Sequence, residues 1–251
     1  MSVKKVPLPP PAPPVLAPNE LDPSWGLAAV IDVETTGLDP EKHELIEIAV
    51  ILFAFDRATH EIKGIVDEYV GQREPDRSIP REATAVHGLT KRMLKGKRLD
   101  YSRLDDISGR AEFYVAHNAE FEEAFCAGYL CRKPWYCSMK QIVWTTRTDR
   151  WQKLEKLLRR YHICETQTHR ACDDARGLLT LLSLKNKAGD TFLHEMVTRG
   201  DRERASYERR RQEAEARAAQ AQAATSRSGC LTVVCLTCLI LAILALWIGS
   251  P

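Results

Sequence analysis

Short hydrophobic runs alternate with polar segments through the middle of the chain. Three such runs, rich in β-branched residues, follow one another before residue 71, and each has the length of a strand. In the second run Ile46, Ile48, Val50 and Leu52 alternate with their neighbours and share one face. The links between the runs are short, so the pattern predicts an antiparallel meander of strands at 26–34, 43–56 and 61–70.

A different pattern follows the meander. Pro80 opens a helical turn, and most of the later segments have apolar residues at helical spacing. The pattern predicts one further strand at 112–117 and helices at 90–98, 101–110, 118–130, 151–163 and 169–188. Meander strands followed by strand–helix alternation indicate an α/β domain over 25–190, with a mixed sheet flanked by helices.

The N-terminal segment 1–24 is rich in proline. Seven of the 13 prolines lie between Pro7 and Pro18. Because proline fixes φ and has no backbone N–H, this segment is not expected to form a helix or a sheet ladder. We predict an extended, disordered tail.

The C-terminal part consists of two further segments. Residues 191–228 are rich in Ala, Arg, Glu and Gln and predict a charged helical stalk. Residues 230–248 carry no charge, proline or glycine, and as a helix they would be about 28 Å long, close to the ~30 Å hydrocarbon core. A buried core helix is the alternative, but such a helix normally has a polar stripe. We predict a C-terminal transmembrane helix within 229–251.

The orientation of this span follows from the basic residues. Arginines precede it at 209–211, 217 and 227, and none follows it. The positive-inside rule then predicts a single-pass, tail-anchored membrane protein with a cytoplasmic N-terminal domain. Five of the eight cysteines lie in the domain and lack zinc-knuckle spacing, which is typical of reduced thiols in a cytosolic domain. Cys235 and Cys238 have CxxC spacing, but they lie within the predicted span, where zinc binding is not expected.

Overall charge changes this picture little. There are 36 Lys and Arg residues against 34 Asp and Glu, a formal net charge of +2, which excludes a histone-like polycation. A local basic cluster lies at Lys91, Arg92, Lys95, Lys97 and Arg98. This cluster could follow a phosphate backbone or form an ordinary solvated helix face.

Candidate chemistry begins at the end of the first strand. Alternation places Asp32 and Glu34 on the same face, about 6.6 Å apart along the strand. Two carboxylates so placed repel each other unless a cation lies between them. The strand then gives way to a tight loop at 35–38, where a ligand can approach the backbone. An ordinary acidic pair at a strand end is the alternative.

Two more polar clusters follow, each at the start of a predicted helix. Glu122 lies in the first helical turn after Asn118. The alternative explanation is structural: asparagine is a common helix N-cap, and an acidic residue in the first turn interacts favourably with the helix dipole. In the later cluster His169 precedes a helix, and Asp174 falls beside its buried stripe. A buried carboxylate needs a partner, which is either a metal ion or an arginine such as Arg170 or Arg176.

Taken in this order, these segments resemble the DEDDh family of 3′–5′ exonucleases, which includes the proofreading subunit of the bacterial replicative polymerase. The sequences IDVETTGL (31–38), AHNAEFE (116–122) and HRACDDA (169–175) resemble the three family motifs. AVHGLT (85–90) resembles the segment between the first two motifs. The resemblance covers about residues 27–185 and implies a ribonuclease-H-like fold.

The resemblance also implies a site for two divalent ions, Mg²⁺ or Mn²⁺. By analogy Asp32 bridges both ions, Glu34 and Asp174 hold the ion that carries the attacking water, and Glu122 supports the site. His169 is the implied general base. The residues implied to bind the terminal nucleotide are Thr35, Thr36, Leu38, His87 and Asn118.

One residue departs from the family pattern. The family usually has Asp where this chain has Glu122, and the extra methylene moves the carboxylate outward by about 1.5 Å. We therefore expect a membrane-tethered exonuclease whose partner is nucleic acid, with DNA favoured over RNA. The alternatives are a membrane-anchored nucleic-acid-binding module with weak or no activity, and a polymerase proofreading subunit.

Overall fold

The predicted mixed sheet is confirmed, with five strands in the part of the chain that the structure describes. The computed structural model describes residues 9–144, 151–165 and 169–248, with side chains described as far as residue 220. The strands are β1 (Gly26–Thr35), β2 (Leu45–Phe55), β3 (Ile62–Gln72), β4 (Tyr114–Ala116) and β5 (Trp135–Cys137). Their order is β3-β2-β1-β4-β5. The first three strands pair antiparallel as a meander, whereas β4 and β5 are parallel to β1.

Helices cover both faces of this sheet. They are α1 (Arg81–His87), α2 (Lys91–Leu94), α3 (Tyr101–Arg110), α4 (Ala119–Cys126), α5 (Ser138–Gln141), α6 (Leu154–Arg160), α7 (Ala171–Ser183) and α8 (Phe192–Ile248). The helix predicted over 90–98 ends at Leu94, because Gly96 adopts a φ of 71°, which an α-helix cannot include. The short elements β5 and α5 were not predicted.

The core lies on both sides of the sheet. On one face Ala49, Ile51 and Phe53 of β2 pack with residues of α6, α7 and the first turns of α8. On the other face Val50 and Leu52 pack with residues of α3 and α4. Every residue of β2 is therefore buried, which explains why its sequence is almost continuously hydrophobic.

Part of the proline-rich segment, for which we predict an extended, disordered tail, contacts the sheet. Val15 forms a parallel bridge with Ile65 of β3, and the backbones of Pro14 and Leu16 hydrogen-bond to the same residue, at 2.7 and 2.8 Å. Proline can still contribute its carbonyl to such a bridge, and residues 15–17 contain no proline. A short 3₁₀ helix (Pro18–Glu20) then leads into β1.

The chain forms two compact units, Met1–Gly200 and Asp201–Pro251. The first turns of α8 belong to the first unit, because Leu193 and Met196 lie in its core, so this unit continues beyond the predicted boundary at 190. Among the residues for which the structure describes side chains, no helix is long and apolar enough to cross a membrane. The side chains of the predicted span, 230–248, lie outside that set.

Candidate active site

Three carboxylates converge at the end of the central strand. Asp32 and Glu34 come from β1, and Asp174 comes from the first turn of α7, which packs on the sheet. One carboxylate oxygen from each residue lies within 4.8 Å of the other two. Glu34 and Asp174 are buried and Asp32 is half-buried. This convergence joins the first and third sequence motifs in one site.

Burial and mutual repulsion disfavour the ionised forms of these carboxylates and so raise their pKa values. Burial raises the pKa of Asp32 well above its usual range, and the charges of Glu122 and Asp174 raise it further. Burial, together with Asp174 and Glu47, raises the pKa of Glu34 to about 8. A cation bound among them would favour the ionised forms, since an opposite charge lowers a carboxyl pKa.

Glu122, in the first turn of α4, lies next to this group. Its side chain is buried, and its Oε2 atom has no hydrogen-bond partner among the described residues. Burial raises the pKa of Glu122 to about 8. A buried carboxylate oxygen without a partner is costly, and a metal ion, directly or through water, would satisfy it. The all-oxygen donor set fits a hard divalent cation such as Mg²⁺ or Mn²⁺.

His169 stands at the entrance to α7. It is half-buried and adopts a φ of 51°, a left-handed conformation that is uncommon outside glycine. Arg170 follows as the N-cap residue, and its carbonyl accepts the Asp174 N–H at 3.0 Å. The strained residue therefore directly precedes the helix that carries Asp174, as the sequence predicts for the third motif.

Glu47 of β2 fixes the start of this helix, and we did not single it out in the sequence. It lies in register with Glu34 and is 1% exposed. Arg170 donates to its two oxygens from Nη2 at 2.5 Å and from Nε at 3.1 Å, and the Ala171 N–H donates at 3.1 Å. Burial raises the pKa of Glu47, but the hydrogen bonds from Arg170, Gln72 and Ala171 outweigh it, so the net shift is downward.

We expect Arg170→Ala to destabilise the chain by about 3 kcal/mol, because it leaves Glu47 as a buried charge without its cation. The matched control is Arg176→Ala on the same helix, whose exposed pair with Glu68 we expect to contribute less than about 1 kcal/mol. Urea denaturation of both variants measures the difference. Equal losses in the two variants would show that Glu47 does not depend on Arg170.

A cavity of 430 Å³ opens beside Glu34. Four predicted nucleotide-binding residues line it: Thr35, Thr36, Leu38 and His87. The other lining residues are Val33, Gly37, His43, Pro80, Glu82, Ala83, Val86 and Phe121. The cavity wall therefore combines the loop after β1 with α1 and α4, and much of it is apolar.

Hydrogen bonds fix the loop that forms one side of this cavity. Thr35 donates its hydroxyl to the Gly37 carbonyl at 2.6 Å, and the hydroxyl of Thr36 accepts the Glu44 N–H at 2.9 Å. A Cβ at Gly37 would lie 2.5 Å from the His43 ring, so any larger residue here would displace that ring. Leu38, by contrast, is 83% exposed and free to contact a ligand.

His87 and Asn118, the other two predicted nucleotide-binding residues, differ in their position relative to the cavity. His87 is buried in the cavity wall and its Nδ1 accepts the Leu89 N–H at 3.0 Å, while Nε2 has no hydrogen-bond partner within the described chain. Burial lowers the pKa of His87. Asn118 does not line the cavity. It is the N-cap residue of α4, and its carbonyl accepts the Phe121 N–H at 2.8 Å.

The raised carboxyl pKa values predict how stability depends on pH. Without metal, folded Glu34 and Glu122 bind protons that the unfolded chain has released, so stability falls as pH rises toward 8. Each group contributes up to about 1.4 kcal/mol per pH unit. Burial lowers the pKa of His117 to about 4, so this group makes stability rise with pH only up to about pH 6.5 and does not contribute to the trend above it.

The test is therefore the Tm between pH 6.5 and 8, in EDTA and in Mg²⁺. We expect the Tm in EDTA to fall across this window, the stabilisation by Mg²⁺ to grow with pH, and Glu34→Gln to reduce both trends. A Tm in EDTA that rises between pH 6.5 and 8 would contradict the assignment of buried, protonated carboxylates.

The fold and the site define an exonuclease domain. The RNase_T family, described as exonuclease, matches residues 29–182, and the chain belongs to this family. This membership confirms the predicted enzyme class, an exonuclease that acts on phosphodiester bonds. It also agrees with the ribonuclease-H-like mixed sheet that the three motifs imply.

Relatives of the domain occur in bacterial DNA polymerase III. The DNA polymerase III subunit epsilon of Treponema pallidum is 31% identical over 163 residues, which is 61% of this chain and 73% of that protein. The PolC-type DNA polymerase III of Thermotoga maritima is 32% identical over 182 residues. The match covers 66% of this chain but 13% of the PolC-type protein.

Among solved structures, exonuclease X in complex with 5′ overhanging duplex DNA is 26% identical, with a TM-score of 0.45. The match covers 62% of this chain and 89% of exonuclease X.

Proposed function

We propose that the chain is a metal-dependent 3′–5′ exonuclease that removes nucleotides from nucleic-acid 3′ ends. One observation carries the proposal: the oxygens of Asp32, Glu34 and Asp174 lie within 4.8 Å of one another beside a 430 Å³ cavity. A site of this kind places a metal-binding group at the edge of a space that can hold one nucleotide.

In this proposal two Mg²⁺ or Mn²⁺ ions, when bound, stabilise the attacking and leaving oxygens of an in-line displacement at phosphorus. Asp32, Glu34 and Asp174 bind them, and Glu122 supports the site. His169 accepts the proton of the attacking water, a role that histidine side chains commonly take in general-base catalysis.

The cavity is proposed to hold the terminal nucleotide. The apolar side chains of Leu38, Val86 and Phe121 offer contact surface to a base or sugar, and the loop 35–37 is held in place by its own hydrogen bonds. Glu47 and Arg170 act indirectly, since they position the start of the helix that carries Asp174.

Ladder formation tests the activity. The whole 251-residue chain, solubilised in detergent, is incubated with 5′-labelled single-stranded DNA or RNA in Mg²⁺, Mn²⁺ or EDTA. We expect stepwise shortening that needs a divalent ion and is faster on DNA, the substrate suggested by the polymerase relatives. Folded wild-type chain that leaves both strands intact with either ion would contradict the proposal.

Two narrower proposals accompany this function. The similarity to the Treponema pallidum epsilon subunit favours proofreading as a second candidate, which a preference for mismatched over matched 3′ ends would support. We also propose that 230–248 attaches the chain to a membrane with the exonuclease domain on the cytoplasmic side. Resistance to alkaline carbonate extraction, lost in Leu239→Arg, is the expected result, and full extraction of the wild type would contradict attachment.

A further inference from the structure

A group of basic side chains remains without acidic partners near the third motif. The basic surface, defined as Lys91, Arg92, Lys95, Lys97 and Arg98, follows from α2 into the loop after it. In the part of the chain that the structure describes, Arg92, Lys95 and Arg98 are exposed and make no ion pair. Lys91 donates only to the Asp76 carbonyl, at 2.8 Å.

The nearby carboxylates are engaged by other groups. Glu74 accepts the Gly96 N–H at 2.7 Å, and Asp100 caps α3 by accepting the Arg103 N–H at 3.0 Å. Glu44 is paired with Arg73 at 3.0 Å. Glu44 is therefore neutralised by Arg73, and within the described chain Arg92, Lys95 and Arg98 form an ion pair with none of these carboxylates.

Two adjoining cavities, of 510 Å³ each, lie along this surface. Lys97 and Arg98 line both cavities. The first cavity is also lined by Lys91 and Arg73, whereas the second reaches Arg170, the residue after His169. The two cavities share Lys97 and Arg98 and together form a groove from the basic surface to Arg170. Its walls carry five basic side chains and four acidic ones, Glu74, Asp76, Glu47 and Asp100.

Side-chain contacts link the same two places. Lys97 donates to Gln72 Oε1, and Gln72 donates from Nε2 to Glu47 at 2.5 Å. Glu47 in turn holds Arg170. Gln72, Glu47 and Arg170 thus form a series of contacting side chains that connects Lys97, in the groove, to the third motif.

We propose that the basic surface binds the phosphate backbone of the substrate strand beyond the nucleotide held in the active site. This inference rests on the proposed function and deepens it, because it assigns the enzyme a preference for strands longer than the site itself. Each lysine or arginine that neutralises a phosphate releases bound counterions, which favours binding and makes it sensitive to salt.

The test is binding without turnover. The Asp32→Asn chain is titrated in EDTA with a fluorescent 20-nucleotide DNA strand and with a trinucleotide, between 50 and 200 mM salt. We expect Arg98→Gln to weaken 20-mer binding about fivefold near 0.1 M salt and Lys97→Gln/Arg98→Gln about 25-fold, with the salt slope lower by about 0.7 per charge. Trinucleotide affinity is expected to stay the same.

Arg132→Gln is the matched control. Arg132 is also exposed, but it lies three residues before β5 begins. Because β5 runs parallel to β1, this start lies at the opposite end of the strands from Asp32 and Glu34. We expect this variant to bind both strands like the parent, and Arg98→Lys to retain 20-mer affinity because its charge is kept.

Two outcomes would overturn the inference: equal 20-mer affinity in Arg98→Gln and Arg132→Gln, or equal weakening of the 20-mer and the trinucleotide. Because turnover is absent from this assay, failure of the proposed function is distinguished from failure of the basic surface. A chain that binds in this way but never cleaves would contradict the exonuclease activity alone.

Discussion

Replacing Asp32 by asparagine is expected to lower 3′-end hydrolysis by a factor of about 10³ or more. The substitution keeps the shape of the side chain but removes one of the three carboxylates that converge in the site. Loss of a bound metal ion removes several kcal/mol of transition-state stabilisation, and about 4 kcal/mol corresponds to 10³ in rate. Single-turnover rates with Mg²⁺ and with Mn²⁺ measure the effect.

The same substitution is expected to stabilise the metal-free chain. Burial and neighbouring charges raise the pKa of Asp32 well above its usual range, so folding at pH 8 has to keep a proton on a group that is ionised in the unfolded chain. Asparagine removes this cost, and each 1 kcal/mol gained raises the Tm of a domain of this size by about 2–4 °C. A lower Tm in EDTA would contradict this account of the site.

Asp67→Asn is the matched control for both measurements. Asp67 is an aspartate of β3 that pairs with Arg103 and Arg110, not with the acidic group. Its substitution is expected to lower stability and leave the hydrolysis rate unchanged. If Asp67→Asn lost activity as Asp32→Asn does, the loss in Asp32→Asn would reflect general damage to the sheet.

His169→Gln is expected to lower kcat by about 10²–10⁴, the range for loss of a general base. The carboxylates remain, so the rise in Tm on adding Mg²⁺ should persist. The pH–rate profile of the wild type is expected to show the limb of a general base, and this limb should be absent in the variant. The pH–rate profile therefore separates a proton acceptor from a residue that only shapes the loop.

His162→Gln supplies the control for this prediction. His162 adopts a similar left-handed conformation, with a φ of 57°, but it is exposed at the end of α6. We expect its substitution to leave kcat and its pH dependence unchanged. A His169→Gln variant that retained the wild-type kcat, or that lost its response to Mg²⁺, would contradict the assignment of His169 as the base.

The sequence predicted most of the sheet and the acidic group. The long strands have clear hydrophobic patterns, and α7 buries the predicted stripe that includes Ala175 and Leu178. Asp32, Glu34 and Asp174 come together as the family resemblance implies, because β1 and α7 are adjacent in the fold. Local pattern and motif order were sufficient for these features.

Features that depend on tertiary contacts were missed. The pair between Glu47 and Arg170 joins residues 123 positions apart, and its one sequence signal was a carboxylate within an otherwise apolar strand. The strand β5 has three residues, too few for a periodic pattern. Asn118 occupies the N-cap position of α4 without a side-chain cap hydrogen bond, so its assignment to nucleotide binding stays a prediction.

The most direct test of the central claim follows which end of the strand is removed first. Matched DNA strands, labelled on the 5′- or the 3′-terminal nucleotide, are incubated with the chain and Mg²⁺. The account predicts rapid release of a labelled mononucleotide from the 3′-labelled strand alone, dependent on Asp32 and abolished by EDTA. Early release from the 5′-labelled strand, or release that continues in EDTA, would contradict it.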